Sequence, residues 1–92
     1  MTKIRRLYTF HGRVQGVGFR YRASYAAQAL GLTGWVRNEY DGTVSMEVQG
    51  GKEAIERLII QLQNDRYISI DWFEQKDRPV DEEERRFRVR GY

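Results

Sequence analysis

The sequence predicts an α+β fold in which two helices pack on one face of an antiparallel sheet. Segments of alternating apolar and polar residues, typical of half-buried strands, take turns with two segments whose apolar residues recur at helical spacing. Glycines and an Asp-Gly pair mark the breaks between these segments. A chain of 92 residues suits one two-layer domain, and we expect that domain to span residues 1–92.

The first two elements are a strand and a helix, joined by a glycine-rich turn at residues 16–18. Apolar residues alternate with polar ones from residue 6 to residue 14, which predicts the strand. Gly31 is well placed to end the helix, because glycine tolerates the left-handed conformation common just past a helix. The apolar stripe of this helix consists of Phe19, Ala23, Ala26, Ala27 and Leu30.

A hairpin follows the first helix. Residues 33–39 predict its first strand, and Asp41-Gly42 is a hairpin turn signal. The return strand alternates until Gly50-Gly51 breaks it, so we expect one buried face and one wet face. The wet face would carry Ser45, Glu47 and Gln49, opposite Val44, Met46 and Val48.

The rest of the chain predicts a second helix and two more strands. Ile68, Ile70 and Trp72 alternate in the longer strand, and a short last strand holds Phe87 and Val89. The stripe of the second helix consists of Ile55, Leu58, Ile59 and Leu62.

A polar stretch from Gln75 to Arg86 separates the last two strands, and it contains Pro79 and the acidic run 81–84. Such a stretch predicts a solvated surface connection. The resulting order is strand, helix, strand, strand, helix, strand, with a short extra strand. This is the βαββαβ order of the ferredoxin-like fold. We expect the sheet face opposite the helices to meet solvent, as antiparallel sheets allow.

Composition excludes several kinds of protein. The chain has no cysteine for a disulfide or thiolate metal site, and its one histidine, His11, excludes a His-rich metal cluster. We therefore expect chemistry without a metal or cofactor. The apolar runs are too short to span a bilayer and the N-terminus lacks a signal-like stretch, which predicts a cytoplasmic protein. The net charge of +3 suits an anionic partner without specifying which one.

The turn between the first strand and the first helix has the features of an anion site. Gly16 and Gly18 can adopt positive φ angles, which lets successive backbone N–H groups point into one concavity. The turn leads into a helix N-terminus, and the Arg20 guanidinium in the first helical turn can bind phosphate oxygens. An ordinary tight turn followed by a solvated arginine would show the same spacing, so spacing alone does not decide between the two interpretations.

Two strings in the sequence resemble the signatures of the acylphosphatase family. The string GRVQGVGFR from Gly12 to Arg20 is similar to the first signature, and GWVRNEYDGTV from Gly34 to Val44 is similar to the second. They occur in the family's order and spacing, and weaker similarity extends from about residue 5 to about residue 90. The resemblance implies the ferredoxin-like fold, in agreement with the order of the elements.

The resemblance also implies an activity and a site. The activity is hydrolysis of the carboxyl–phosphate anhydride of acyl phosphates, with inorganic phosphate as product and no cofactor. Arg20 would bind the phosphate, Asn38 would position the attacking water, and the substrate's own phosphate would accept the proton. The protein is expected to be a monomer. The loop residues that would bind phosphate through their amides are Val14, Gln15, Gly16, Val17, Gly18 and Phe19.

Two alternatives remain open at this point. RNA-binding modules share this order of elements, although the polar open face expected for the third strand lacks the stacking aromatics that such modules use. A non-catalytic phosphate-binding module is the other, and it would be expected to lose Arg20 or Asn38, both of which are present.

Several other residues have more than one interpretation. We expect His11 to be a strand residue on the open face, away from the chemistry, and Trp35 to cover sheet surface rather than stack on substrate. Tyr8 and Tyr21 are equally consistent with pocket walls and with packing. Gly91 interrupts the basic and aromatic ending typical of the family, so the role of Tyr92 stays open.

Overall fold

The computed structural model describes residues 2–91, and Tyr92, whose role the sequence leaves open, lies outside them. The described residues form five strands and two helices, and the predicted order of elements is confirmed. The elements are β1 (Ile4–Arg13), α1 (Phe19–Ala29), β2 (Thr33–Asn38), β3 (Val44–Gly50), α2 (Lys52–Gln63), β4 (Ser69–Arg78) and β5 (Phe87–Arg90).

The strands form one sheet in the order β4-β1-β3-β2-β5. The four strands of the βαββαβ unit are antiparallel to their neighbours: β1 pairs with β3 and β4, and β2 pairs with β3. The extra strand β5 joins the free edge of β2 in parallel, which makes the whole sheet mixed. Because β4 and β5 lie at opposite edges, the chain between them has to cross the width of the sheet.

Both helices pack on one face of the sheet and close a single apolar core. The predicted stripe of α2 is buried completely, and that of α1 is buried at Phe19, Ala23 and Ala27. Tyr8 is 1% exposed and its ring stacks on Phe10, so its role is packing, and burial raises the pKa of its hydroxyl. The strands contribute Tyr8, Phe10, Val36, Val44, Met46, Val48 and Phe87 to the core.

The end of α1 confirms the role expected of Gly31. Its φ is +72°, and its N–H donates to the carbonyl of Gln28 while the N–H of Leu32 donates to that of Ala27. These two bonds form a Schellman motif, which satisfies carbonyls left free at the helix end. Leu32 is buried, so the motif also turns the chain back into the core.

A β-bulge in β4 contradicts the expected alternation of Ile68, Ile70 and Trp72. Gly12 pairs with Ile70 and His11 pairs with Trp72, so Asp71 is an extra residue on β4. An extra residue reverses which side chains face the core. Ile70 and Phe73 therefore pack against the core, whereas Trp72 is 55% exposed on the other face.

The open face of the sheet is less exposed than expected. Gln49 is buried because the segment of residues 79–86, here called the strap, lies against this face on its way from β4 to β5. Ser45 is also buried, and its hydroxyl bonds to Glu39. The prediction of a solvated connection from Gln75 to Arg86 is therefore wrong in two respects. The first four residues of this stretch belong to β4, and the side chain of Glu84 in the acidic run is only 13% exposed.

Gly12 is required by the close approach of β1 and β4 at the bulge. Its φ is +131°, and a Cβ there would overlap the backbone at Ser69 and Asp71. We expect Gly12→Ala to lower the free energy of unfolding by more than about 3 kcal/mol. Gly42→Ala is the control, since φ is +92° but no atom lies within 4 Å of the added Cβ. Its cost should be about 1–2 kcal/mol. Equal losses in urea unfolding would contradict the steric explanation.

Candidate active site

The loop between β1 and α1 adopts the backbone conformation that an anion site requires. Gly16 has a φ of +74° and Gly18 has a φ of +80°, and a Cβ at Gly16 would meet no atom within 4 Å. The positive φ therefore explains glycine at position 16, rather than a lack of space. Val14 at the start of the loop is fully buried, and Val17 packs against the core. The loop is thus anchored to the core at its start and in the middle of its turn.

The first turn of α1 is not capped by a side chain. Gly18 is the N-cap residue, makes no side-chain cap, and is followed by no acidic residue in the first turn. The side chain of Phe19 is buried against Phe10, which leaves its backbone at the mouth of the loop. Free N–H groups at a helix N-terminus, together with the helix dipole, favour an anion at this point.

Arg20 extends from this first turn toward the end of β5. Its Nη1 donates to the carbonyl oxygen of Arg90 at 3.1 Å. That is the one hydrogen bond of its guanidinium to residues 2–91, so most of its donors are available to a ligand. A planar guanidinium with free donors can bind two phosphate oxygens at once.

The side chain of Gln15 connects the loop to the β2–β3 hairpin. Its Nε2 donates to the carbonyl oxygens of Glu39, at 2.7 Å, and Thr43, at 2.9 Å. The sequence suggested a role for Gln15 only through its backbone amide, and no periodicity or charge pattern signals this second role. Because Glu39 directly follows Asn38, these bonds hold the second signature string next to the loop.

Asn38 is the last residue of β2 and pairs with Val44. Because Val44 faces the core, the pairing register places Asn38 on the same side of the sheet as the loop and α1. Its side chain makes no hydrogen bond within the described part of the chain. Its carbonyl and NH₂ groups are therefore both available to orient a water molecule.

The turn beside Asn38 is fixed by hydrogen bonds to two carboxylates. The backbone N–H and the hydroxyl of Thr43 donate to Asp41 Oδ1 at 3.0 Å and 2.6 Å, and these bonds lower the pKa of Asp41. The Ser45 hydroxyl and then Arg37 lower the pKa of Glu39 in the same way. Both groups therefore remain ionised at neutral pH, and Asp41-Gly42 is the hairpin turn that the sequence predicts.

The remaining candidate residues do not join this site. His11 lies on the open face, as expected. Its ring centre is 3.7 Å from that of Trp72, and its Nε2 is 2.8 Å from Glu74 Oε2. Trp35 lies under the guanidinium groups of Arg37 and Arg90, at 4.8 Å and 5.0 Å from its ring centre. These contacts agree with a surface-covering role for Trp35.

Tyr21 is 76% exposed, so it is not a packing residue. Residues 2–91 contain no group of three or more His, Asp or Glu side chains arranged to hold a metal ion. No helix in the same range is long and apolar enough to cross a membrane.

Known proteins are similar to this chain over most of its length. The family model described as acylphosphatase matches residues 7–89. An acylphosphatase of Clostridium perfringens is 44% identical over 88 residues, which cover 91% of this chain and 96% of that protein. Two solved structures are also similar: the acylphosphatase of Bacillus subtilis, with 29% identity and a TM-score of 0.86, and that of Coxiella burnetii, with 30% identity and a TM-score of 0.87.

The two structural matches cover nearly the whole of each chain. They span 94% of this chain and 97% of the Bacillus subtilis protein, and 96% of this chain and 93% of the Coxiella burnetii protein. These relatives do not support the alternative of a non-catalytic phosphate-binding or RNA-binding module.

The hairpin should be sensitive to acid through Asp41. Because its pKa is lowered on folding, its contribution to stability is complete above the pKa of an unfolded aspartate, about 4. That contribution is lost as the pH falls through the lower pKa of the folded state. Asp41→Asn keeps the acceptor oxygen but does not titrate. Urea unfolding from about pH 6 to about pH 2 should therefore show a smaller loss of stability in the variant. Identical losses in both proteins would contradict this role.

Proposed function

The chain belongs to the acylphosphatase family, and we propose that its catalytic site consists of the amides of residues 14–19, Arg20 and Asn38. The protein is a hydrolase that cleaves the carboxyl–phosphate anhydride of acyl phosphates and releases a carboxylate and inorganic phosphate.

The observation that carries the proposal is the meeting of two segments at Gln15. An uncapped helix start and a guanidinium with free donors supply the groups that bind an anion. The two bonds from Gln15 to the hairpin join them to a strand end that presents an unbonded asparagine. Anion-binding donors and a water-orienting side chain are the two components that phosphoryl transfer to water requires.

In the proposed reaction, water attacks phosphorus opposite the acyl oxygen. The bond from phosphorus to that oxygen breaks, and the carboxylate leaves with the bonding electrons. Negative charge spreads over the three equatorial oxygens, where the loop amides and the Arg20 guanidinium donate hydrogen bonds. Each such donor is typically worth about 3 kcal/mol of transition-state stabilisation. Asn38 orients the water, which contributes by positioning rather than by taking the proton.

A phosphate oxygen of the substrate is the proposed proton acceptor. The nearest carboxylates along the chain to Asn38 are Glu39 and Asp41, and the pKa of each is lowered by hydrogen bonds. A lowered pKa makes a carboxylate a weaker base, so neither is suited to remove a proton from water near neutral pH. Glu39 also forms an ion pair with Arg37, whose Nε donates to Glu39 Oε2 at 2.9 Å.

The donor set supports a reaction without a metal ion. Backbone N–H groups and a guanidinium bind anions directly and cannot act as ligands to a cation. We also propose that residues 1–92 act as one domain, as a monomer and in the cytoplasm. A chain without cysteine needs no oxidising compartment to fold.

Arg20→Ala should abolish hydrolysis while the fold persists. The guanidinium is partly exposed and makes one hydrogen bond to the rest of the described chain, so its loss should cost little stability. We expect kcat/KM for benzoyl phosphate to fall at least about 10³-fold, because the charge on the equatorial oxygens loses its strongest donor. Assays with a chelator present should leave the wild type fully active. Near-normal turnover by the variant would refute the assignment of Arg20.

Asn38→Ala should separate catalysis from binding. The side chain has no partner in residues 2–91, so its removal should not disturb β2. We expect kcat to fall about 100-fold, because the water loses its orientation, while the affinity for inorganic phosphate changes little. Steady-state kinetics and calorimetric titration with phosphate measure the two quantities. Parallel losses in both would indicate a structural role instead.

A further inference from the structure

The orientation of Arg20 depends on the position of β5. The only protein group in residues 2–91 that fixes its guanidinium is the carbonyl oxygen of Arg90, the last residue of β5, at 3.1 Å. A guanidinium held at one nitrogen presents its other donors in a direction set by that carbonyl. A shift of β5 along β2 would therefore move the donors away from the loop. Misplacement by about 1 Å can cost a large factor in a positioned site.

The strand β5 is held by its pairing with β2 and by packing against α1. It is four residues long, it is at the edge of the sheet, and among the described strands it pairs only with β2. Phe87 is buried, but Arg88, Val89 and Arg90 are exposed. A short edge strand of this kind is expected to slide or fray unless the chain before it is held.

Two buried side chains of the sheet hold the strap, in addition to the backbone bond from the Gly34 N–H to the Arg86 carbonyl at 3.2 Å just before β5. Arg5, which is 5% exposed, donates from Nη1 and Nη2 to the two carboxylate oxygens of Glu84, at 2.8 Å and 3.2 Å. Gln49, which is 2% exposed, exchanges two hydrogen bonds with the backbone of Asp81, at 2.9 Å and 2.7 Å. Of these two contacts, the one at Glu84 is nearer to β5, because Glu84 lies three residues before Phe87, where β5 begins.

The anchor at Glu84 is strong because its partner is itself fixed. Arg5 lies on β1 and also contacts Glu47 and Gln49 on β3, so it is held by the centre of the sheet. Hydrogen bonds to both carboxylates raise the pKa of Arg5 despite its burial, so the cation is retained. A two-point contact between a buried guanidinium and a carboxylate defines both distance and direction.

We propose that Glu84, held by Arg5, is a positioning residue for the phosphate-binding guanidinium of Arg20. The inference rests on the role proposed above for Arg20. Glu84 does not touch the substrate. It fixes the register of β5 on β2, and β5 fixes Arg20 through the Arg90 carbonyl.

Glu84→Gln tests the inference with the least change in size. The glutamine amide has one acceptor oxygen and an NH₂ group that cannot accept, so the two-point contact with Arg5 Nη1 and Nη2 is lost. We expect the dissociation constant for inorganic phosphate, measured by calorimetric titration, to rise roughly 3- to 30-fold. KM for benzoyl phosphate should rise by a similar factor while kcat falls less, and Glu84→Asp, which restores the charge, should recover part of the affinity.

The matched control is Glu82→Gln, which makes the same chemical change on the same strap. The side chain of Glu82 is 79% exposed, and its ion pair with Lys3 at 3.4 Å does not reach the sheet. Phosphate affinity should equal that of the wild type. Thermal unfolding of each variant shows that the assays are made on folded protein. If Glu84→Gln is not folded at the assay temperature, the comparison is made with Glu84→Asp, for which a smaller loss in the same direction is expected.

The Arg20→Ala background separates the two proposals. There, Glu84→Gln should cause no further loss of phosphate affinity, because the strap acts through Arg20. If Arg20→Ala binds phosphate as well as the wild type, the role of Arg20 fails and the inference fails with it. If Arg20→Ala loses affinity but neither Glu84→Gln nor Glu84→Asp does, the inference alone is overturned. An equal loss from Glu84→Gln in both backgrounds would also overturn it, because that result indicates general loosening.

Discussion

The uncapped start of α1 is the constraint on which the rest of the site depends. A side-chain cap would stabilise the helix but would occupy the amides that an anion needs, and Gly18 supplies none. The surrounding structure holds the uncapped turn in other ways. Val14 and Phe19 are buried on either side of the loop, and Gln15 bonds to the neighbouring hairpin. The loop is therefore rigid although its amides are free. Rigidity matters because donors that need no rearrangement stabilise the transition state most effectively.

Two different kinds of bond place the two halves of the site. The hairpin that ends at Asn38 is held by local bonds within its own turn and by Gln15. Arg20, in contrast, depends on a carbonyl that comes from the far end of the chain. The position of that carbonyl is set by the pairing of β5 with β2 and by the buried contacts of the strap. Chain segments that are distant in sequence thus meet at one guanidinium.

Most of the fold could be predicted from periodicity, and the failures have physical causes. The stripe of α2 and the alternation of β3 identify their elements correctly, because one face of each is buried. The exposure of Trp72 could not be predicted, because the extra residue at the bulge reverses the alternation and leaves no signal in composition. The acidic run 81–84 predicted a solvated loop, but Glu84 in that run is largely buried against Arg5. This burial could not be predicted, because Arg5 is distant in sequence and the contact depends on how the chain crosses the sheet.

The site divides in the same way. Glycine spacing and Arg20 indicated an anion site without deciding for it, and the roles of Arg20 and Asn38 came from resemblance to a family. The contacts of Gln15 and Arg90 could not be predicted, because they join segments 24 to 70 residues apart through side-chain and backbone atoms with no pattern of their own.

The bulge in β4 also bears on aggregation, since an open sheet has two edges at which another chain could add a strand. At one edge, the extra residue Asp71 interrupts the regular spacing of β4 on its partner, and four of the five residues from Glu74 to Arg78 are charged. At the other edge, β5 is short and carries Arg88 and Arg90. Irregular backbone and charge both disfavour intermolecular pairing. Each edge therefore disfavours the growth of fibrils. The β-bulge at Asp71, which reverses the alternation expected for β4, helps to prevent the addition of a strand at that edge.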